Sequence, residues 1–121
     1  SSAKAALTIL KGYAHEDDYT VLKSVVSNLG SFYDIVKLDD SLAASYKKFA
    51  TSLVSNEYEK LQWTATESEN DLTSLKRALV IATLVAYDND EALKSAQAKF
   101  DKYGNYSADL ASSIFKAKIK L

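Results

Sequence analysis

Apolar residues recur along the chain three and four positions apart, and the strict alternation of a half-buried strand is rare. The spacing predicts six helices. The first covers residues 2–13, with Ala6, Leu10 and Tyr13 on one stripe and Gly12 near its end. A second begins at Asp17 or Asp18, where a carboxylate accepts free N–H groups and faces the positive end of the helix dipole. It carries Leu22, Val25, Leu29, Phe32 and Val36 inward, with Gly30 as a candidate bend. Asp39, Asp40 and Ser41 cap a third helix, on which Leu42, Tyr46, Phe49 and Leu53 mark one face. That helix fades at residues 61–63, and the polar stretch 64–70 reads as a loop or as the frayed start of the next helix.

Residues 72–87 are apolar nearly all round. A helix of that kind is surrounded by others, which makes it the central element; its β-branched residues leave a buried strand as the alternative. Residues 88–91 (Asp-Asn-Asp-Glu) turn the chain and cap a fifth helix, with Leu93, Ala96, Phe100 and Tyr103 inward and Gly104 suited to the left-handed position after its end. Residues 105–107 start the sixth, which turns Leu110, Ile114 and Ala117 inward and carries Lys116, Lys118 and Lys120 at its negative end. Short polar connectors imply antiparallel neighbours, hence an all-α fold of three helix hairpins. Hairpins of about 40 residues suggest stacking as a short HEAT- or armadillo-like right-handed superhelix. No repeat consensus is legible, and a closed bundle is the alternative.

Composition narrows the function classes. The 121 residues, 47% of them apolar, suit one helical domain, expected over 1–121; lacking an initiating methionine, it reads as an excised portion of a larger one. Lys plus Arg number 15 against 16 acidic residues. Such a balance lacks the basic excess of a nucleic-acid or anionic-membrane binder. There is no proline and there are three glycines, where about six and eight would be usual, so kinks and tight turns are few. With no cysteine there is no disulfide, zinc finger or thiol nucleophile. No apolar run approaches the roughly 20 residues of a membrane span, and a cytoplasmic location is expected.

No catalytic, cofactor-binding or metal-binding residue is assigned in this chain. The string His15-Glu16-Asp17-Asp18 begins like the zinc-protease pattern H-E-x-x-H, but Tyr19 stands where the second imidazole must face the metal, and His15 is the only histidine. It reads as the acidic start of a helix. The run 88–91 lacks the spacing of a calcium loop, and the serines lack a histidine partner. Glu57, Glu59, Glu67, Glu69 and Asp71 give no interpretable carboxylate pair, because acid–base roles depend on separation in space. The eight tyrosines, four phenylalanines and Trp63 read as packing residues. Lys76 and Arg77 admit two readings. Arg77, the one arginine, either snorkels its charged end to solvent or pairs it with an acid, or is held on a concave surface for a carboxylate.

Several segments together resemble the C-terminal helical domain of the gluzincin aminopeptidases, the family of aminopeptidase N and the puromycin-sensitive enzyme. Residues 15–32 are similar to that family's E-x-D-Y-x-x-W stretch: Glu16, Asp18 and Tyr19 fall into register, and Leu22 replaces the tryptophan. Leu61-Gln62-Trp63 resembles its L-G-W, with Gln62 in place of glycine. Residues 74–103 resemble its L-R-x-x…A-x-x-x-F-x-x-W pattern through Arg77, Ala96 and Phe100, with Tyr103 where tryptophan is common. The resemblance implies a non-catalytic shell or lid for a zinc-dependent metalloaminopeptidase that removes N-terminal residues from peptides. Zinc and the catalytic glutamate would then lie in a separate catalytic domain of the same polypeptide. That domain and a peptide at the concave face would be the partners, with no nucleic acid and no membrane. The competing reading is a free-standing helical-repeat module that binds a protein or peptide.

Overall fold

A computed structural model describes residues 2–13, 17–101 and 108–120. They form six helices: α1 (Ser2–Lys11), α2 (Tyr19–Val36), α3 (Asp40–Leu61), α4 (Asp71–Ala86), α5 (Asp90–Asp101) and α6 (Ala108–Lys120). No strand occurs among the described residues, so the strand alternative for 72–87 falls away. His15, Glu16, Tyr103, Gly104 and the expected start of the sixth helix at 105–107 lie outside the described residues.

The caps explain the boundaries. Asp18, Asp39 and Asn70 have extended backbones and accept the N–H of Val21, Leu42 and Thr73 respectively, so three helices start where a side chain takes a free donor. Asn89 does the same for α5 by accepting from Ala92 at 2.9 Å. At the end of α4, the Asp88 N–H bonds Val85 O and the Asn89 N–H bonds Leu84 O, with Asp88 at φ 61°. That is a Schellman closure, and aspartate tolerates the left-handed position it requires. Gly30 produces no break, since α2 runs through it.

Hydrogen bonds between helices fix their directions. Lys47, early in α3, meets Asp88 just beyond α4, while Arg77, early in α4, bonds Leu61 O at the end of α3. Those two helices are antiparallel. Lys76 bonds Asp17 O just before α2, and Lys120 at the end of α6 bonds Val85 O and Ala86 O at the end of α4. The even-numbered helices α2, α4 and α6 therefore run parallel in a row, with α4 in the middle, touching α2, α3, α5 and α6. The hairpins α3–α4 and α5–α6 are close, and α1 is the most lightly attached helix.

The core has two lobes. One gathers Val54, Tyr58, Val80, Ile81, Leu84, Ala96, Leu110 and Ile114 from α3 to α6, with Phe100 half-buried against it. The other gathers Leu10, Val25, Leu29, Tyr46, Ala50, Leu53 and Tyr87. Of the expected inner residues, Leu22 is fully buried, and Val25, Leu29, Phe32 and Val36 of α2, Leu93, Ala96 and Phe100 of α5, and Leu110, Ile114 and Ala117 of α6 lie in or against these lobes. Leu42 does not: it is 56% exposed. Its helical phase matches Tyr46, but the first turn of α3 has only the ends of α1 and α2 above it, leaving a groove of about 350 Å³ beside Thr8, Lys11 and Val36.

Candidate functional site

The densest polar chemistry lies where α3 passes to α4. Continuing the α3 face one turn beyond Leu53 places Glu57 at a buried position, 4% exposed. A buried carboxylate needs partners. Lys76 supplies one at 3.2 Å and Lys60 another at 3.4 Å. Lys76 also donates to Asp17 O at 2.9 Å, which ties the start of α2 to α4.

One residue along α4, Arg77 is 4% exposed. Its Nη1 and Nη2 donate to the two oxygens of Glu69 at 2.6 and 2.8 Å, and its Nε donates to Leu61 O at 3.2 Å. The two remaining acceptor positions of Glu69 are filled by the Thr66 N–H and the Ser74 hydroxyl, both at 2.9 Å. Charge-assisted bonds from Arg77, with those from Thr66 and Ser74, stabilise the anion and bring the Glu69 carboxyl down to about 2. Of the two readings of Arg77, pairing with an acid is therefore the one the structure carries: the guanidinium is not offered on a concave surface. Lys76 is committed in the same way. Glu69 escapes periodicity analysis because it sits on a loop, whereas Glu57 was findable as an acid in the apolar phase of α3.

Gln62 closes α3 with φ 51° and ψ −155°, a region essentially reserved for glycine. The resembled motif has glycine at this position, and the conformation supplies the physical reason for one. The turn it makes throws Trp63 back onto its own helix, where the indole N–H donates to Tyr58 Oη at 3.0 Å. Tyr58 in turn donates to Glu91 Oε1 at 3.0 Å, and Lys99 lies 5.4 Å from the Trp63 ring centre. Connection and α5 are thereby joined through one hydrogen-bonded chain.

A second polar knot closes the opposite end of α4. Asp88 takes Lys47 at 2.6 Å and Lys120 at 2.7 Å, and these two ammonium groups keep its carboxyl below the ordinary carboxylate range despite the opposing effect of burial. Lys120 was expected to serve the end of its own helix; its three bonds instead satisfy the last carbonyls of α4 and Asp88. The aromatic residues pack as expected. Tyr33 meets Tyr87 edge-on at 5.4 Å, Tyr46 touches Phe49 and Tyr87, and the buried Tyr46 hydroxyl donates to Leu29 O at 2.8 Å.

These arrangements clamp helices together; none presents a nucleophile beside a base. Among the described residues no group of three or more His, Cys, Asp or Glu side chains could hold a metal ion, so their donor set does not fit a zinc site. No described helix is long and apolar enough to cross a membrane.

Comparison with known proteins gives the same reading of the fold a biochemical setting. The chain matches the family described as ERAP1-like C-terminal domain over residues 1–121. It is 29% identical over 106 residues to Aminopeptidase M1 of Arabidopsis thaliana, an alignment covering 84% of this chain. The matched region spans only 12% of that relative's length.

Proposed function

Because this chain belongs to the ERAP1-like C-terminal domain family, we propose that it is the non-catalytic helical shell of a zinc-dependent aminopeptidase that trims N-terminal residues from peptides. The family match over the whole chain carries this reading. The clamped helix array is consistent with it, because a shell must hold its shape while another domain performs the chemistry. Zinc would sit in that catalytic domain and activate water there. This chain's residues contribute rigidity: Arg77 and Glu57 fix one end of the central helix, Asp88 and Lys120 the other. Closing such a shell over a catalytic domain would orient a peptide and shield it from bulk solvent.

The right-handed sense of the stacking, the extent of the domain beyond these residues and a cytoplasmic location belong to the same proposal. So do the catalytic domain and a bound peptide as partners. The test is a pair of assays with aminoacyl-anilide and short peptide substrates. The 121-residue chain supplied with zinc gives no turnover, while the whole polypeptide that contains it cleaves both and loses activity to a chelator. Chelator-sensitive turnover by the chain alone, or a whole polypeptide without peptidase activity, overturns the reading.

A further inference from the structure

We propose that residues 62–70 form a latched, strained strap: one guanidinium, Arg77, clamps both of its ends, and the strain held closed by that clamp resides in the backbone of Gln62. The strap leaves α3 at Leu61, whose carbonyl accepts from Arg77 Nε at 3.2 Å. It returns at Glu69, whose two oxygens take the Nη1 and Nη2 fork of the same side chain. Between these points residues 64–68 are exposed, and Trp63 is the anchor packed on the core.

The strain is local and identifiable. A glutamine at φ 51° and ψ −155° persists only where its surroundings impose that conformation. Its two neighbours do so, since Leu61 O is bound by Arg77 and the Trp63 indole is bound by Tyr58. A hydrogen bond from Gln62 Nε2 to Glu59 O at 3.2 Å is exposed and adds little.

Glu69 is the movable half of the latch. Arg77 is on the central helix and 4% exposed, so it cannot follow the strap outward. Losing the carboxylate leaves a buried cation facing only Leu61 O, and the guanidinium must turn towards water. That movement frees Leu61 O, and the peptide preceding Gln62 can rotate out of its strained region. The latch and the strain are thereby coupled, although Glu69 and Gln62 lie seven positions apart. A free carboxylate of formate size, taken by the Arg77 fork and the Ser74 hydroxyl, would draw the guanidinium back into its seat.

The test uses the 121-residue chain and its variants Gln62→Gly, Glu69→Ala and the combination. Amide exchange of residues 63–69 should accelerate at least tenfold in Glu69→Ala while amides of Ile81 and Leu84 keep their protection. Gln62→Gly should raise the melting temperature of the parent chain by several degrees, and by less than half as much in the Glu69→Ala background. Formate should restore strap protection to Glu69→Ala beyond the effect of equimolar chloride, and should not do so when Arg77→Met is added. Should Glu69→Ala fail to fold, Glu69→Gln, whose amide still fills the seat, is read by strap exchange and by the Gln62→Gly increment, without formate. Unchanged strap exchange, an equal gain from Gln62→Gly in both backgrounds, or formate acting no better than chloride overturns the proposal.

Discussion

At the scale of single residues, the ionisable groups that matter are those whose partners are fixed by the fold. Glu69 titrates at an ordinary 4.5 when unpaired and at about 2 in the folded chain. The unfolded state thus binds the proton first on acidification, and the stabilisation from this group is complete above about pH 4.5 and lost as pH falls towards 2. Asp88, also shifted down, loses its contribution in the same direction. Chemical denaturation of Glu69→Gln at several pH values should therefore show a lower stability at neutral pH and a shallower fall between about pH 5 and 2 than the parent chain. At the alkaline end, burial raises Tyr46, Tyr58 and Tyr87 above their usual value of 10. These groups stabilise fully below pH 10 and destabilise as deprotonation is forced, so stability should drop above that pH. Tyr46→Phe should reduce the drop while costing about 0.5–1.5 kcal/mol at neutral pH through the lost bond to Leu29 O. A Tyr46→Phe chain with unchanged neutral stability would mean that this bond contributes nothing.

At the scale of the helices, periodicity located the elements and most of their inner faces. Leu22, Leu29, Leu53, Ile81, Leu84 and Ile114 are all essentially sealed from solvent, because an apolar stripe has one way to avoid water. The pattern failed where the cause lies elsewhere in the chain. Leu42 obeys the α3 phase, yet only the ends of α1 and α2 stand beside its turn and they leave it uncovered. The Arg77 partner could not be found, since Glu69 occupies a connection without period, and the 32-residue span from Asp88 to Lys120 leaves no local trace. Two substitutions separate these cases. Ile81→Ala on the sealed side of α4 should cost about 2–5 kcal/mol, whereas Leu72→Ala, exposed on the same helix, should change stability by about 0.5 kcal/mol or less. Phe100→Ala, at a half-buried position, should cost less than the roughly 3–5 kcal/mol of a fully enclosed phenylalanine. Equal losses for Ile81 and Leu72 in urea titrations would place α4 in the wrong rotation.

At the scale of the whole molecule, exposed apolar side chains lie on the first turns of α4, at Leu72 and Leu75, and at the margins of the array. Phe115 and Ile119, one turn apart on α6, are 58% and 69% exposed; at the other margin Ile9, Ile35, Leu38 and Leu42 are open. Exposed apolar groups of this kind favour association. Sedimentation of the isolated chain should show a mass that rises with concentration, and Phe115→Lys with Ile119→Lys should suppress the rise. A strictly concentration-independent monomer would show that these side chains are too scattered to act together. The long reach of Lys120 adds a temporal dimension. On a ribosome the sequence emerges in order, and the turn after α4 appears with its final two carbonyls still hydrated and Asp88 holding Lys47 alone. At usual elongation speeds the 32 residues separating Asp88 from Lys120 take roughly two to six seconds to be added. During that interval the nascent chain can assemble α3 against α4, but the end of α4 stays unfinished until Lys120 arrives.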